Sequence, residues 1–167
     1  MQVIDDFTSP ARATIGTRWR FFTDGVMGGV SSGEARIGHL DGRPCLGLAG
    51  QVRTENRGGF IQAALDLDPD GRPVAAARHA GLRFAARGNG RVYYIHLRTA
   101  DTRAPWQLYA APFETIDRWR DVLLPWSAFQ PSALDAPLDP ARLTRVALVA
   151  AKAAFRAEVA IAALAFA

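Results

Sequence analysis

The sequence predicts an all-β protein folded as a sandwich of two sheets. Apolar and polar residues alternate with a period of two over about ten short segments, the pattern of half-buried strands. Gly, Pro, Asn and Asp cluster between those segments, where turn chemistry is required. Helical periodicity is weak throughout, and many short strands with Gly/Pro-rich turns are the mark of a sandwich. With 167 residues, 49% of them hydrophobic, the chain is long enough to bury a core, and one β-sandwich domain spanning residues 1–167 is expected.

Arg18 to Thr23 reads as the first strand. Ser32 to Ile37 and Pro44 to Val52 form a hairpin, because His39-Leu40-Asp41-Gly42 between them carries the Asp-Gly signal of a tight turn. Phe60 to Asp66 follows, closed by the turn Asp68-Pro69-Asp70-Gly71. Gly81 to Ala86 and Arg91 to Thr99 flank Arg87-Gly88-Asn89-Gly90 as a second hairpin. In its returning strand Tyr93, Ile95 and Leu97 face the core, while Val92, Tyr94, His96 and Arg98 face outward. Trp106 to Ala111 is expected next, with Gln107 and Tyr109 on one side and Trp106 and Leu108 on the other. Arg120 to Leu124 stops at Pro125, Trp126 to Phe129 packs as an aromatic corner, and Leu143 to Ala150 and Ala157 to Phe166 close the list. The Ala-rich Val74–His79 and the Asp139-capped Pro140–Leu143 are the only helical candidates, each one turn long. Trp19, Trp106, Trp119 and Trp126 read as core aromatics, with Trp126 the one expected to be partly exposed.

Composition removes several function classes. Cys45 is the only cysteine, which excludes an intrachain disulfide and a thiolate cluster, and its strand context reads as a buried, inert thiol. His39, His79 and His96 fit no metal-ligand spacing, so no metal or cofactor is expected. Neither a nucleophile elbow nor a phosphate-binding lysine loop occurs. The net charge of +4 is carried almost wholly by arginine, but the arginines are scattered and match no nucleic-acid-binding module. The acidic Met1–Asp6 argues against a secretory signal, and Val159 to Ala167 is too short to cross a bilayer. A cytoplasmic protein without a transmembrane segment is expected, peripheral at the membrane only through a partner.

Two glycine motifs are the most specific features. Asp24-Gly25-Val26-Met27-Gly28-Gly29-Val30-Ser31 is echoed by Glu55-Asn56-Arg57-Gly58-Gly59-Phe60. Paired glycines imply positive φ or close approach of another segment. Two tight turns would explain them structurally. A paired-loop site would instead use Asp24, Ser31, Glu55 and Asn56 as polar groups and Gly25, Met27, Gly28, Gly29, Gly58, Gly59 and Phe60 as its frame. Met27 pointing outward would make the first loop a partner-binding edge; pointing inward, it would make the loop a core plug.

These motifs, with GLRFAARGNGRVYYIHLRT and WQLYAAPFETIDRWRDVLLPWSAFQP downstream, resemble the complex I intermediate-associated protein family, the thirty-kilodalton assembly factors of NADH:ubiquinone oxidoreductase. The likeness covers roughly residues 19–166. It implies a galactose-binding-domain-like jelly-roll sandwich with no catalytic centre. It also implies a partner among respiratory complex I subunits or assembly intermediates, with a chaperone-like role. Two alternatives come from the residues. One is a carbohydrate- or small-acid-binding face built from Arg83, Arg87, Tyr94, His96, Arg98, Gln107 and Tyr109, which mixes aromatic platforms with planar hydrogen-bonding groups. The other is a small enzyme of unknown chemistry; Asp24 and Glu55 could meet as a carboxylate pair, but a carboxylate beside a Gly-Gly turn more often accepts backbone N–H bonds.

Overall fold

Alternating side chains become two antiparallel six-stranded sheets in the computed structural model, which describes residues 1–167. Twelve strands occur: β1 (Gln2–Asp5), β2 (Trp19–Thr23), β3 (Ser32–Leu40), β4 (Arg43–Val52), β5 (Phe60–Asp66), β6 (Gly81–Gly88), β7 (Val92–Thr99), β8 (Leu108–Glu114), β9 (Arg120–Pro125), β10 (Gln130–Ser132), β11 (Leu143–Ala151) and β12 (Phe155–Phe166). The first sheet runs β3-β4-β12-β6-β9, with β1 also on β12; the second runs β10-β8-β7-β11-β5-β2. The helical content is four 3-10 turns, among them Trp126–Ala128 at the expected aromatic corner and Pro140–Arg142 capped by Asp139. No helix is long and apolar enough to cross a membrane.

One side of each strand enters a shared core of 32 buried residues. Tyr93, Ile95 and Leu97 lie in it as the alternation requires, facing Leu82, Phe84, Val159 and Ile161 from the opposite sheet. The Tyr93 hydroxyl is satisfied inside the core: it donates to Asn89 Oδ1 at 2.6 Å and accepts from the Glu158 N–H at 2.9 Å. β12 pairs with β6 along one edge and is long enough to serve two neighbours in succession along the other. Phe155–Ile161 pair with β4, and after a bulge at Ala163, whose φ is +52°, Leu164–Phe166 pair with β1. Buried Asp5 ties the N-terminal segment down, accepting from the Phe7 and Thr14 N–H groups and from Trp19 Nε1 at 2.8 Å.

Three expectations need correction. β1 and β10 escape the pattern because each is short; β10 contains Pro131, which the sheet tolerates because β10 is an edge strand. Trp106 is 69% exposed and lies before β8, not in it. Tyr109 is wholly buried, so the faces of this strand are the reverse of those expected. The cause is local. Gln107 Oε1 accepts from the Arg103 and Ala104 N–H groups at 2.9 and 3.0 Å, and the Arg98 guanidinium donates to the Pro105 and Ala104 carbonyls. Residues 103–107 are therefore folded into a cap, and the strand starts at Leu108 in the opposite phase.

Candidate functional site

The two glycine motifs meet in space, and Asp24 joins them. Asp24 begins a 3-10 turn, Asp24–Met27, whose N-cap Thr23 accepts the Gly25 N–H through its hydroxyl. Its carboxylate is wholly buried. Oδ1 accepts from the Ser31 N–H at 3.0 Å, closing its own loop. Oδ2 accepts from the Ser31 hydroxyl and the Gly59 N–H, both at 2.5 Å, and from the Phe60 N–H at 3.2 Å, reaching into the second motif. Ser31 Oγ also accepts the Arg53 N–H at 2.8 Å, which fixes the end of β4. Asn56 completes the junction from the other side, its Nδ2 donating to the Gly28 carbonyl at 3.2 Å.

Each glycine pair divides two tasks between its members. Gly28 (φ +84°) and Gly59 (φ +134°) supply backbone conformations that side chains resist. Gly29 and Gly58 supply room: a Cβ at Gly29 would lie 2.5 Å from Asp24 Oδ1, and one at Gly58 would lie 2.5 Å from Asp24 Oδ2. The doubled Gly-Gly is thus the sequence trace of two loops closing on one carboxylate. Burial by itself would raise the Asp24 pKa, but the Ser31 hydroxyl and the N–H groups of Gly59, Ser31 and Phe60 outweigh it, and the carboxyl is held below the ordinary range.

Such a carboxylate has its lone pairs occupied and is not free to move protons. Glu55 does not join it; Glu55 Oε2 pairs with Arg53 Nε at 2.8 Å on the surface. Asp24 is thus a buried structural carboxylate that accepts backbone N–H bonds, as expected of a carboxylate beside a Gly-Gly turn, and Glu55 stands apart from it in an exposed ion pair.

What the junction presents outward is apolar. Val26 is 76% exposed and Met27 59%, and Val30 is exposed beside them. Met27 points outward, so the loop is not a core plug. Phe60 is half-buried behind the junction, in a small cluster on the outer face of the second sheet with Phe22, Tyr94 and Ala151.

The predicted ligand face does not assemble. Arg83 and Arg87 lie on β6 in the first sheet, whereas Tyr94, His96 and Arg98 lie on β7 in the second. Tyr109 is in the core, its hydroxyl donating to the Ala136 carbonyl at 2.8 Å. Arg98 and Gln107 spend their hydrogen bonds on the 103–107 cap, with Gln107 Nε2 also donating to the Ala133 carbonyl. Burial, with nearby Lys152, pushes the His96 pKa down to about 4, which leaves the ring neutral at neutral pH. Lys152 Nζ sits 4.6 Å from the centroid of the Tyr94 ring, closing that platform. Sequence alternation placed the side chains of β7 correctly but could not show which strands share a sheet. Cys45 is buried, and its thiol pKa is raised by that burial, as an inert thiol requires.

The family profile described as "Complex I intermediate-associated protein 30" matches residues 6–159. No curated protein matches the sequence. Among solved structures, the family 11 carbohydrate-binding module of cellulase Lic26A-Cel5E of Clostridium thermocellum superposes with a TM-score of 0.73 at 12% identity, covering 98% of this chain and 91% of that one. A family 11 module from Clostridium thermocellum in complex with a β-1,3-1,4-mixed-linked tetrasaccharide gives 0.71 at 14% identity, covering 98% and 92%. A family 30 carbohydrate-binding module gives 0.66 at 15% identity, covering 98% and 84%. At these identities the likeness carries the fold, a jelly-roll, galactose-binding-like sandwich, as expected from the sequence.

Proposed function

The chain belongs to the complex I intermediate-associated protein 30 family, and we propose that it is a non-enzymatic docking module that engages a protein partner during assembly of respiratory complex I. One observation carries the reading: a two-loop junction, tied together by hydrogen bonds to Asp24, holds Val26, Met27 and Val30 out in solvent. Hydrogen bonds that tie both loops to one carboxylate reduce the entropy left to lose on binding, which favours affinity. Met27 is an adaptable contact, suited to a surface that shields a transient intermediate. The lone pairs of the one buried carboxylate at the junction are taken up by hydrogen bonds, which fits binding better than proton transfer.

Complementation tests this directly. Deleting the gene should lower assembled complex I, and wild-type protein should restore it. A Val26→Glu/Met27→Glu variant should fold, since both side chains are exposed, yet fail to restore assembly. Normal complex I in the deletion strain would defeat the proposal; full rescue by the folded variant would remove the loop from it.

A further inference from the structure

The outer face of the first sheet carries a second feature, which none of the glycine-loop residues lines. A groove of about 420 Å³ crosses β3, β4, β12 and β6. One register row across these strands reads Arg36, Gly47, Ala160, Arg87. Strand spacing sets the two arginine backbones roughly 14 Å apart with a small-residue floor between them. The next row places Glu34 opposite Ala49, and Ala49 opposite Glu158.

Gly38 and Gly47 in this floor have no explanation in the fold. Neither has a positive φ; a Cβ at Gly38 would meet nothing within 4 Å, and one at Gly47 would meet only the Arg36 carbonyl at 3.7 Å. The same hairpin shows the contrast. A Cβ at Gly33 would lie 2.9 Å from Gly50 Cα, so the fold itself requires glycine there. A glycine inside a strand costs about 0.5–1 kcal/mol relative to alanine. Where packing does not demand it, it marks close approach by something else.

The groove's walls indicate what approaches. Arg87 is paired with Asp41, and Arg36 lies 3.4 Å from Glu34, so both cations are balanced. None of the protein's eight ion pairs uses the Glu158 or Asp117 carboxylate, and both line the groove. No group of three or more acidic, His or Cys residues is placed to hold a metal ion. With both guanidinium groups balanced, the Glu158 and Asp117 carboxylates are free acceptors and give the wall a negative balance, which suits a ligand rich in hydroxyl donors and disfavours an anionic one. Trp119 packs against a small buried cluster that includes the groove-lining Ala160 and Cys45, with the Arg43 guanidinium 5.1 Å from its ring centroid. Its Nε1 is one of two buried side-chain polar atoms in the protein without a hydrogen-bond partner.

We propose that this face is a binding groove for a neutral oligosaccharide, seated on Gly38, Gly47 and Ala160 and held by Arg36, Arg87 and Glu158. The sugar rings lie flat on a floor that the glycines keep low, and their hydroxyls donate to Glu158 and accept from the two arginines. This site is independent of the protein-docking role of the loops.

The test is an amide-resolved NMR titration of the full chain with neutral tetrasaccharides of β-glucan, xylan and β-mannan. An oligogalacturonate and an arginine-rich peptide serve as charged rivals. At least one neutral probe should shift Gly38, Gly47 and the Trp119 indole N–H, and Gly47→Phe should weaken it at least about tenfold by filling the floor. Glu158→Gln, which leaves the floor open, should also weaken it and decides the matter if Gly47→Phe fails to fold. Three results would overturn the proposal: no shift with any neutral probe, binding of the charged probes alone, or binding undiminished in the folded variants.

Discussion

Asp24 links the two most distinctive strings of the sequence through four hydrogen bonds to buried or half-buried donors. Asp24→Asn would turn two of its acceptor sites into donors facing N–H groups, and should cost roughly 2–4 kcal/mol in chemical unfolding. The pH dependence has a definite sign. The folded protein holds the carboxyl pKa below its ordinary value of 3.8, so the native chain binds that proton more weakly than the unfolded chain. The stabilisation is whole above that value and drains as pH falls through the folded pKa. The melting-temperature gap between wild type and Asp24→Asn should therefore be wide near neutrality and narrow in acid; a gap unchanged down to strongly acidic pH would contradict this. Gly29→Ala and Gly58→Ala should each lose about 1–3 kcal/mol, because each forces a methyl group against the carboxylate. Neither variant losing stability would mean the carboxylate sits elsewhere. At this scale the motif was legible in the sequence and the contact was not. Glycine doublets announce tight backbone, but nothing in their spacing says that the Gly59 and Phe60 N–H groups turn toward a carboxylate 35 residues earlier.

Strands were legible wherever alternation was long and bounded by turns, as in β6, β7 and the β3–β4 hairpin. They were not where side-chain hydrogen bonds overrode the pattern. Gln107 looks like the outward residue of a strand, yet its amide caps the backbone at Arg103 and Ala104 and shifts the start of β8. Gln107→Ala should cost about 1 kcal/mol, speed hydrogen exchange at the Arg103 and Ala104 amides, and leave the β8 amides protected. Equal loss of protection along β8 would show that the cap is not a separate element. β1 was illegible because its four residues carry too little alternation, and the bulge at Ala163 beside its pairing on β12 adds no signal, since positive φ at an alanine cannot be read from sequence.

For the whole molecule, composition and turn spacing gave the two-sheet sandwich, and the carbohydrate-binding modules that superpose on it share that architecture. Sheet membership lay beyond the sequence, which is why Arg83 and Tyr94 looked like neighbours and are not. The sandwich offers two separated surfaces, an apolar loop junction and a polar groove on the first sheet's outer face. Docking of a protein at the loop junction is read by purifying the tagged protein from its own cells and identifying by mass spectrometry what accompanies it, beside the Val26→Glu/Met27→Glu variant with its fold confirmed by circular dichroism. Complex I subunits or assembly intermediates should be enriched with the wild type and lost with the variant. Equal enrichment with both proteins, or none with the wild type, would rule out docking at the junction.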